Sequence, residues 1–237
     1  MTMQHASAGE SGRVWRPKLD GAEGLLTAVV NTKVAKPRCD VLRQGDVPTV
    51  AHLLLEGHTY RYRLLPDGRR QITAVLMPGE VCDLEAVMRG RADYGVAAMR
   101  NCVLGEIPAS TIADPTSADP ELARALWRRL LRDEAISREW LVGMGCRTAM
   151  ERVAHLLCEF RVRLEAVGLA AGGTFRMQFT QMELGHILGL SFVHVNRILQ
   201  QLRRTGLIEL SAGRMSILDI PALELVAGFD PAYLQMH

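Results

Sequence analysis

Apolar residues between 180 and 206 recur at helical spacing in two short runs separated by a tight turn. In TQMELGHILG, residues Leu184, Ile187 and Leu188 form one apolar face. Thr180 stands at the N-cap position, and Glu183 three residues on completes a capping box. Gly189 supplies the left-handed residue that ends a helix, and Ser191 is the next N-cap. Val195, Ile198, Leu199 and Leu202 then form the buried stripe of a second helix, which Gly206 stops. Its opposite face carries Val193, Asn196, Arg197, Gln200 and Arg204, with His194 and Arg203 at the edges. Two β-prone runs, 208–210 and 216–218, flank Ala212-Gly213 and predict a hairpin.

Upstream the pattern changes. From about 25 to 108 the apolar runs are short and broken by Gly, Pro and Asp, which predicts a small sandwich or barrel. Residues 59–63, TYRYR, alternate as a half-buried strand does. Pro66-Asp67-Gly68 and Pro78-Gly79 mark turns. Residues 108–120 read as a linker. Asp119 and Pro120 then suit a helix start, and nothing breaks that helix before about Val142. Leu122, Leu126, Leu130, Ser137, Trp140 and Met144 share a face that Asp133 interrupts. Such a face serves either a two-stranded seam or a helix packed on its own domain. Gly143 and Gly145 read as a hinge into a helix over 147–166, with Ala149, Val153, Leu156, Leu157 and Phe160 inward.

Composition narrows the chemistry. With 48% hydrophobic and 23% charged residues the chain is ordinary for a globular protein, and a net charge of +2 makes any nucleic-acid affinity local. The second helix of the pair supplies such a patch, since 191–206 holds three Arg and no acid. Asn can pair with adenine and Arg with guanine along the major-groove edge. Arg203, Arg204 and Arg214 are placed to neutralise phosphates. The candidate DNA-contacting residues are Thr180, Gln181, Ser191, Val193, His194, Asn196, Arg197, Gln200, Arg203 and Arg214.

Other chemistries find little footing. The five cysteines are scattered and odd in number, which predicts free thiols in a reducing, cytoplasmic setting. The histidines show no metal-ligand spacing, no catalytic motif stands out, and no metal or enzymatic activity is expected. No run approaches a membrane span, and residues 1–24 read as a tail.

The stretch TQMELGHILGLSFVHVNRILQQLRRTGLI resembles the DNA-reading end of the Crp/Fnr superfamily of bacterial transcription regulators. LPDGRRQI and LMPGE resemble a strand turn and loop of that family's β-roll. The resemblance covers about residues 25–230 and is strongest at 147–210. It implies an α+β chain: a jelly-roll-like N-terminal β-roll sensor over 25–118, a dimerisation helix and hinge over 119–145, and a winged helix-turn-helix over 146–237. It further implies a homodimer joined at Leu126, Leu130 and Trp140, double-stranded DNA as ligand and RNA polymerase as a partner.

Departures from the family pattern bear on the effector. Where cyclic-AMP-binding members carry Gly-Glu and Arg-Ser, this chain carries Asp83-Leu84 and Ala92-Asp93, and Asp93 would repel a phosphate. Arg91 is one position away, on the other face if it lies in a strand. Iron–sulfur-binding members cluster cysteines near the N-terminus, whereas none precedes Cys39 here. Neither cyclic AMP nor a cluster is expected. A small-molecule or redox sensor with an unidentified effector is the alternative reading. Val193 replaces the family's frequent Glu and offers an apolar contact for a thymine methyl.

Overall fold

A computed structural model describes residues 23–113 and 120–234. Most of the expected tail, part of the expected linker and the Asp119 cap lie outside them.

Helix α1 (Glu23–Thr27) leads into strands β1 (Asn31–Ala35), β2 (Asp40–Leu42), β3 (Val50–Glu56), β4 (Thr59–Leu64) and β5 (Arg70–Leu76). Helix α2 (Leu84–Arg89) precedes β6 (Gly95–Ala98) and β7 (Cys102–Pro108). These strands form two antiparallel sheets, ordered β1-β7-β3 and β2-β6-β4-β5. Leu42, Leu54, Leu76, Val96 and Leu104 fill the space they enclose. This is the expected β-roll. Residues 109–113 are not linker: they form helix α3 (Ala109–Ala113), and Ile112 is fully buried.

Helix α4 (Pro120–Cys146) runs straight through Gly143 and Gly145, so the expected hinge is absent there. The break comes at Arg147, because Thr148 and Glu151 form a capping box that starts α5 (Ala149–Ala166). After α5 come β8 (Ala170–Ala171), β9 (Thr174–Arg176), α6 (Gln181–Leu188), α7 (Phe192–Arg204), β10 (Ile208–Ser211), β11 (Arg214–Ile217), α8 (Ile220–Ala227) and a 3-10 turn, Pro231–Leu234. The last four strands form one sheet, ordered β10-β11-β9-β8.

The packing corrects two readings. Strand β4 is buried on both faces rather than one. Tyr60 and Tyr62 join an apolar core with Ile72, Val75 and Met77 that continues into Phe160, Phe175, Leu184, Val195 and Leu199 of the C-terminal half. The intervening Arg61 is buried too and must therefore be paired. The face of α4 chosen as a dimer seam is spent within the chain. Leu122 and Leu126 pack with Leu53, Val81, Leu84 and Ile107, and Leu130 packs against the same cluster. Trp140 lies against the C-terminal core and donates its indole N–H to Glu159 at 2.8 Å. The apolar positions of α4 that stay exposed are Trp127, Leu131, Leu141, Val142 and Met144.

Arg61 finds its partner in a row of six charges, five of them buried and the sixth, Arg129, nearly so. Arg61 reaches Asp133 at 3.0 Å, Asp133 reaches Arg129 at 2.6 Å, and Arg129 reaches Glu80 at 2.5 Å. Glu80 lies 3.2 Å from Arg163, which lies 2.9 Å from Glu159. Three cations alternate with three anions, so burial is offset pair by pair. The row ties the β-roll to α4 and α5. Its carboxylates are also satisfied by neutral donors: Met77 N–H on Glu80 at 2.9 Å and Tyr233 O–H on Glu159 at 2.9 Å. Burial alone would raise the Glu80 carboxyl, but Arg129 and Arg163 outweigh it and hold it down at about 2.

Candidate nucleic-acid interface

Helices α6 and α7 form as their capping residues require. Thr180 Oγ1 accepts the Glu183 N–H at 3.1 Å, and Glu183 Oε2 accepts the Thr180 N–H at 2.7 Å. Ser191 Oγ accepts the His194 N–H at 3.2 Å. The turn between the helices is tight because two glycines allow it. Gly189 adopts φ +63°, and a Cβ on Gly185 would stand 2.5 Å from the Leu190 carbonyl oxygen. The end of α6 is held by two distant side chains. Gln71 of β5 donates to the Ile187 carbonyl at 3.1 Å, and Arg152 of α5 donates to the Leu188 carbonyl at 2.9 Å.

This scaffold buries Val195, Ile198, Leu199 and Leu202 and turns Val193, Asn196, Arg197, Gln200, Arg203 and Arg204 to solvent. None of those six side chains makes a hydrogen bond or ion pair among the described residues. His194 is half-buried at the edge of the face, and Ser191 is exposed at its start. Thr180 and Gln181 are half-buried at the start of α6, and the Thr180 hydroxyl is engaged with Glu183. Ala212 (φ 49°) and Gly213 (φ 74°) make the two-residue turn of the β10–β11 hairpin, with Arg214 exposed beside it.

Two features escape a reading of periodicity. Arg176 on β9 pairs in register with Arg214 on β11, and both are exposed. Like charges opposite each other cost stability, so the pair makes a local demand for an anion. Phe192 falls by helical spacing beside the buried stripe, yet it is 61% exposed. Side chains tilt toward a helix's N-terminus, so the first residue of α7 overhangs the end of its support. Its position at the helix start was the available signal.

The β-roll is a separate candidate site, for a cyclic nucleotide, and its residues do not fit one. Asp83 is fully buried and accepts from His52 through both the backbone N–H, at 2.8 Å, and Nδ1, at 2.6 Å. Ala92 is buried, while Asp93 is exposed and paired with Arg89 at 3.0 Å. Arg91 lies exposed in a bend between α2 and β6, not in a strand. Arg61, inside the roll, is spent on the Cys82 and Val81 carbonyls, Asp133 and the Tyr94 ring. No cation is left there for a phosphate among the described residues.

The buried thiols are inert. Burial pushes Cys158 up to about 12 and also raises Cys82 and Cys102, away from the reactive thiolate. Among the described residues no cluster of His, Cys, Asp and Glu is arranged to hold a metal ion. No described helix is long and apolar enough to cross a membrane.

Comparisons with known proteins agree with this geometry. Residues 151–226 match the model of the Crp-like helix-turn-helix domain, and residues 32–115 match that of the cyclic nucleotide-binding domain. The nitrogen fixation regulation protein FixK of Bradyrhizobium diazoefficiens is 30% identical over 190 residues, 79% of this chain and 78% of the relative. The transcriptional activator protein Anr of Pseudomonas aeruginosa is 27% identical over 188 residues, 79% of this chain and 77% of its own. The solved structure of FixK2 from Bradyrhizobium japonicum superposes with a TM-score of 0.75 at 25% identity, covering 83% of this chain and 96% of that one.

Proposed function

The chain belongs to the Crp/Fnr family of transcription regulators, and on that premise we propose that α7 is the helix with which it reads the major groove of DNA. The observation that carries this is the exposed face of Asn196, Arg197, Gln200, Arg203 and Arg204, whose side chains have no partner among the described residues. Asn196 and Arg197 suit base edges, with adenine and guanine as their partners. Arg203 and Arg204 on α7 and Arg176 and Arg214 on the hairpin sheet suit phosphates. Thr180 and Gln181 offer the N-terminus of α6 to the backbone, as helix starts do for anions. Ser191, Val193, His194 and Gln200 complete the contact set.

The working unit is a homodimer, and its seam is the exposed side of α4. Trp127, Leu131, Glu134, Arg138 and Leu141 follow the 4-3-4-3 spacing of a coiled-coil contact. Leu126, Leu130 and Trp140 are not its residues. Residues 25–118 act as the sensor half, 119–145 as the dimer helix and 146–237 as the reading half, in a cytoplasmic protein that works with RNA polymerase and has no catalytic role. Its effector is not cyclic AMP, because the roll presents no phosphate clamp.

The test is a gel-shift titration at several salt concentrations, using a duplex pool selected with the full chain. Specific duplexes should bind, with log K falling by about 0.9 per phosphate contact per unit of log salt. Binding indifferent to both salt and sequence would remove α7 as the reading helix.

A further inference from the structure

The leading tip of α7 is apolar, which is unusual for a surface that must otherwise pair with polar groups. Phe192 is 61% exposed and Val193 is 62% exposed, and both lie in the first turn. Beyond this tip the exposed side chains of the reading face, Asn196, Arg197, Gln200, Arg203 and Arg204, are amides or guanidiniums. Monomeric proteins tolerate single exposed apolar residues, but an adjacent Phe-Val pair at the point of a helix with no acid in its first turn is a contact surface.

The geometry points to its occupant. Phe192 precedes Asn196, and Val193 precedes Arg197, each by four residues. Four residues place each pair about 40° apart around the axis and about 6 Å apart along it. The apolar tip therefore lies one helical turn ahead of the two polar readers, on the same side. In the major groove the one apolar feature of a base edge is the C5 methyl group of thymine. Arg197, one turn behind the tip, and Arg203 and Arg204 farther along the same helix disfavour a basic partner and favour a polyanion whose groove carries methyl groups. We propose that Phe192 and Val193 act together as a specificity element for thymine methyl groups, reading one or two thymines per half-site beside the base pairs read by Asn196 and Arg197. This rests on the reading of α7 as the recognition helix.

The experiment removes the methyl group and nothing else. Duplexes are selected from a random pool by the full chain, and each thymine of the half-site is then replaced singly by deoxyuridine. For the wild-type chain, one or two positions should lose about three- to fivefold in affinity, the worth of one buried methyl group. The Phe192→Ser, Val193→Ser variant should bind the thymine duplex as weakly as the wild type binds the uracil duplex, with no further loss when uracil is introduced. Circular dichroism and sedimentation of the variant should match the wild type, since both side chains are exposed. Wild-type affinity indifferent to every uracil substitution overturns the proposal. So does a variant that loses affinity but keeps full methyl discrimination, which would make Phe192 a wedge between base steps instead. If the pool yields no enriched sequence, the recognition-helix reading fails and the proposal with it. Enrichment without methyl dependence sinks the methyl contact alone.

Discussion

Glu80 of the β-roll and Arg163 of helix α5 meet 3.2 Å apart in the buried boundary between the two halves of the chain. Removing one member of a buried pair leaves an uncompensated charge. Glu80→Gln should therefore destabilise the fold by about 3–5 kcal/mol, as seen for one-sided removal of buried ion pairs. Glu80→Gln combined with Arg163→Met should cost less than the two single losses added together. Chemical denaturation of the four proteins measures this, and strict additivity would show that the two groups are not coupled.

Stability should fall with acid in the range where histidine titrates. Burial first, then Arg163, lowers His58 to about 4; burial first, then Arg147, lowers His155 to about 4. Both rings are neutral in the folded chain, and their ordinary value is 6.5. The unfolded chain takes up protons below 6.5 that the folded chain refuses. The stability tied to the neutral rings is thus fully present above 6.5 and is lost as pH falls toward 4. Denaturation midpoints at pH 8, 6.5 and 5 should show the decline, and His58→Gln should shallow it. An unchanged slope in the variant would remove His58 from the account.

Arg197→Ala should cost about 1–3 kcal/mol of discrimination at a single base pair and much less on random DNA. Competition gel shifts with single-base operator variants give both numbers. Equal losses on specific and random duplexes would make Arg197 a phosphate contact.

The two faces of α4 should respond differently to substitution. Leu131→Glu with Leu141→Glu should shift sedimentation toward the monomer while the fold persists, because both side chains are exposed. Leu126→Ala should instead cost about 2–5 kcal/mol of folding stability, because Leu126 is a core residue. A double variant that remains dimeric would place the seam on another element.

Cyclic AMP should give no calorimetric signal at micromolar concentrations. The roll spends Arg61 on its own carbonyls and on Asp133, and Asp93 and Arg91 are both exposed. Heat of binding at that level would mean that the loop from Gly79 to Tyr94 rearranges around the ligand.

What could be read from the sequence was what is decided locally. Thr180, Glu183, Gly189 and Ser191 act within a few residues of themselves, and the structure places each in its expected role. The stripe from Val195 to Leu202 is buried as its spacing requires. The hinge expected at Gly143 and Gly145 missed a local signal, the Thr148–Glu151 capping box that starts α5, whereas the other misreadings concern choices that distant residues make. Helix α4 carries apolar side chains on two faces, and spacing does not say which one meets the chain's own sheet. Arg61 and Asp133 are 72 residues apart, and Glu80 and Arg163 are 83 apart, so no window of sequence reveals their pairing. The short strands β8 and β9 lie in a Gly- and Ala-rich stretch with no alternation to mark them. Phe192 was hidden by its own periodicity.

The unbroken apolar core from Tyr60 to Leu199 has a consequence for how such a protein can evolve and be engineered. A reading head cut away behind α4, or grafted onto another sensor, would carry with it a greasy patch shaped for the tyrosines and Met77 of this particular sheet. Modular exchange of halves is thus penalised by insolubility before regulation is even at stake. On the reading proposed for α7, new operators are reached more readily by point substitution along that helix, where the exposed side chains can change without disturbing anything beneath them.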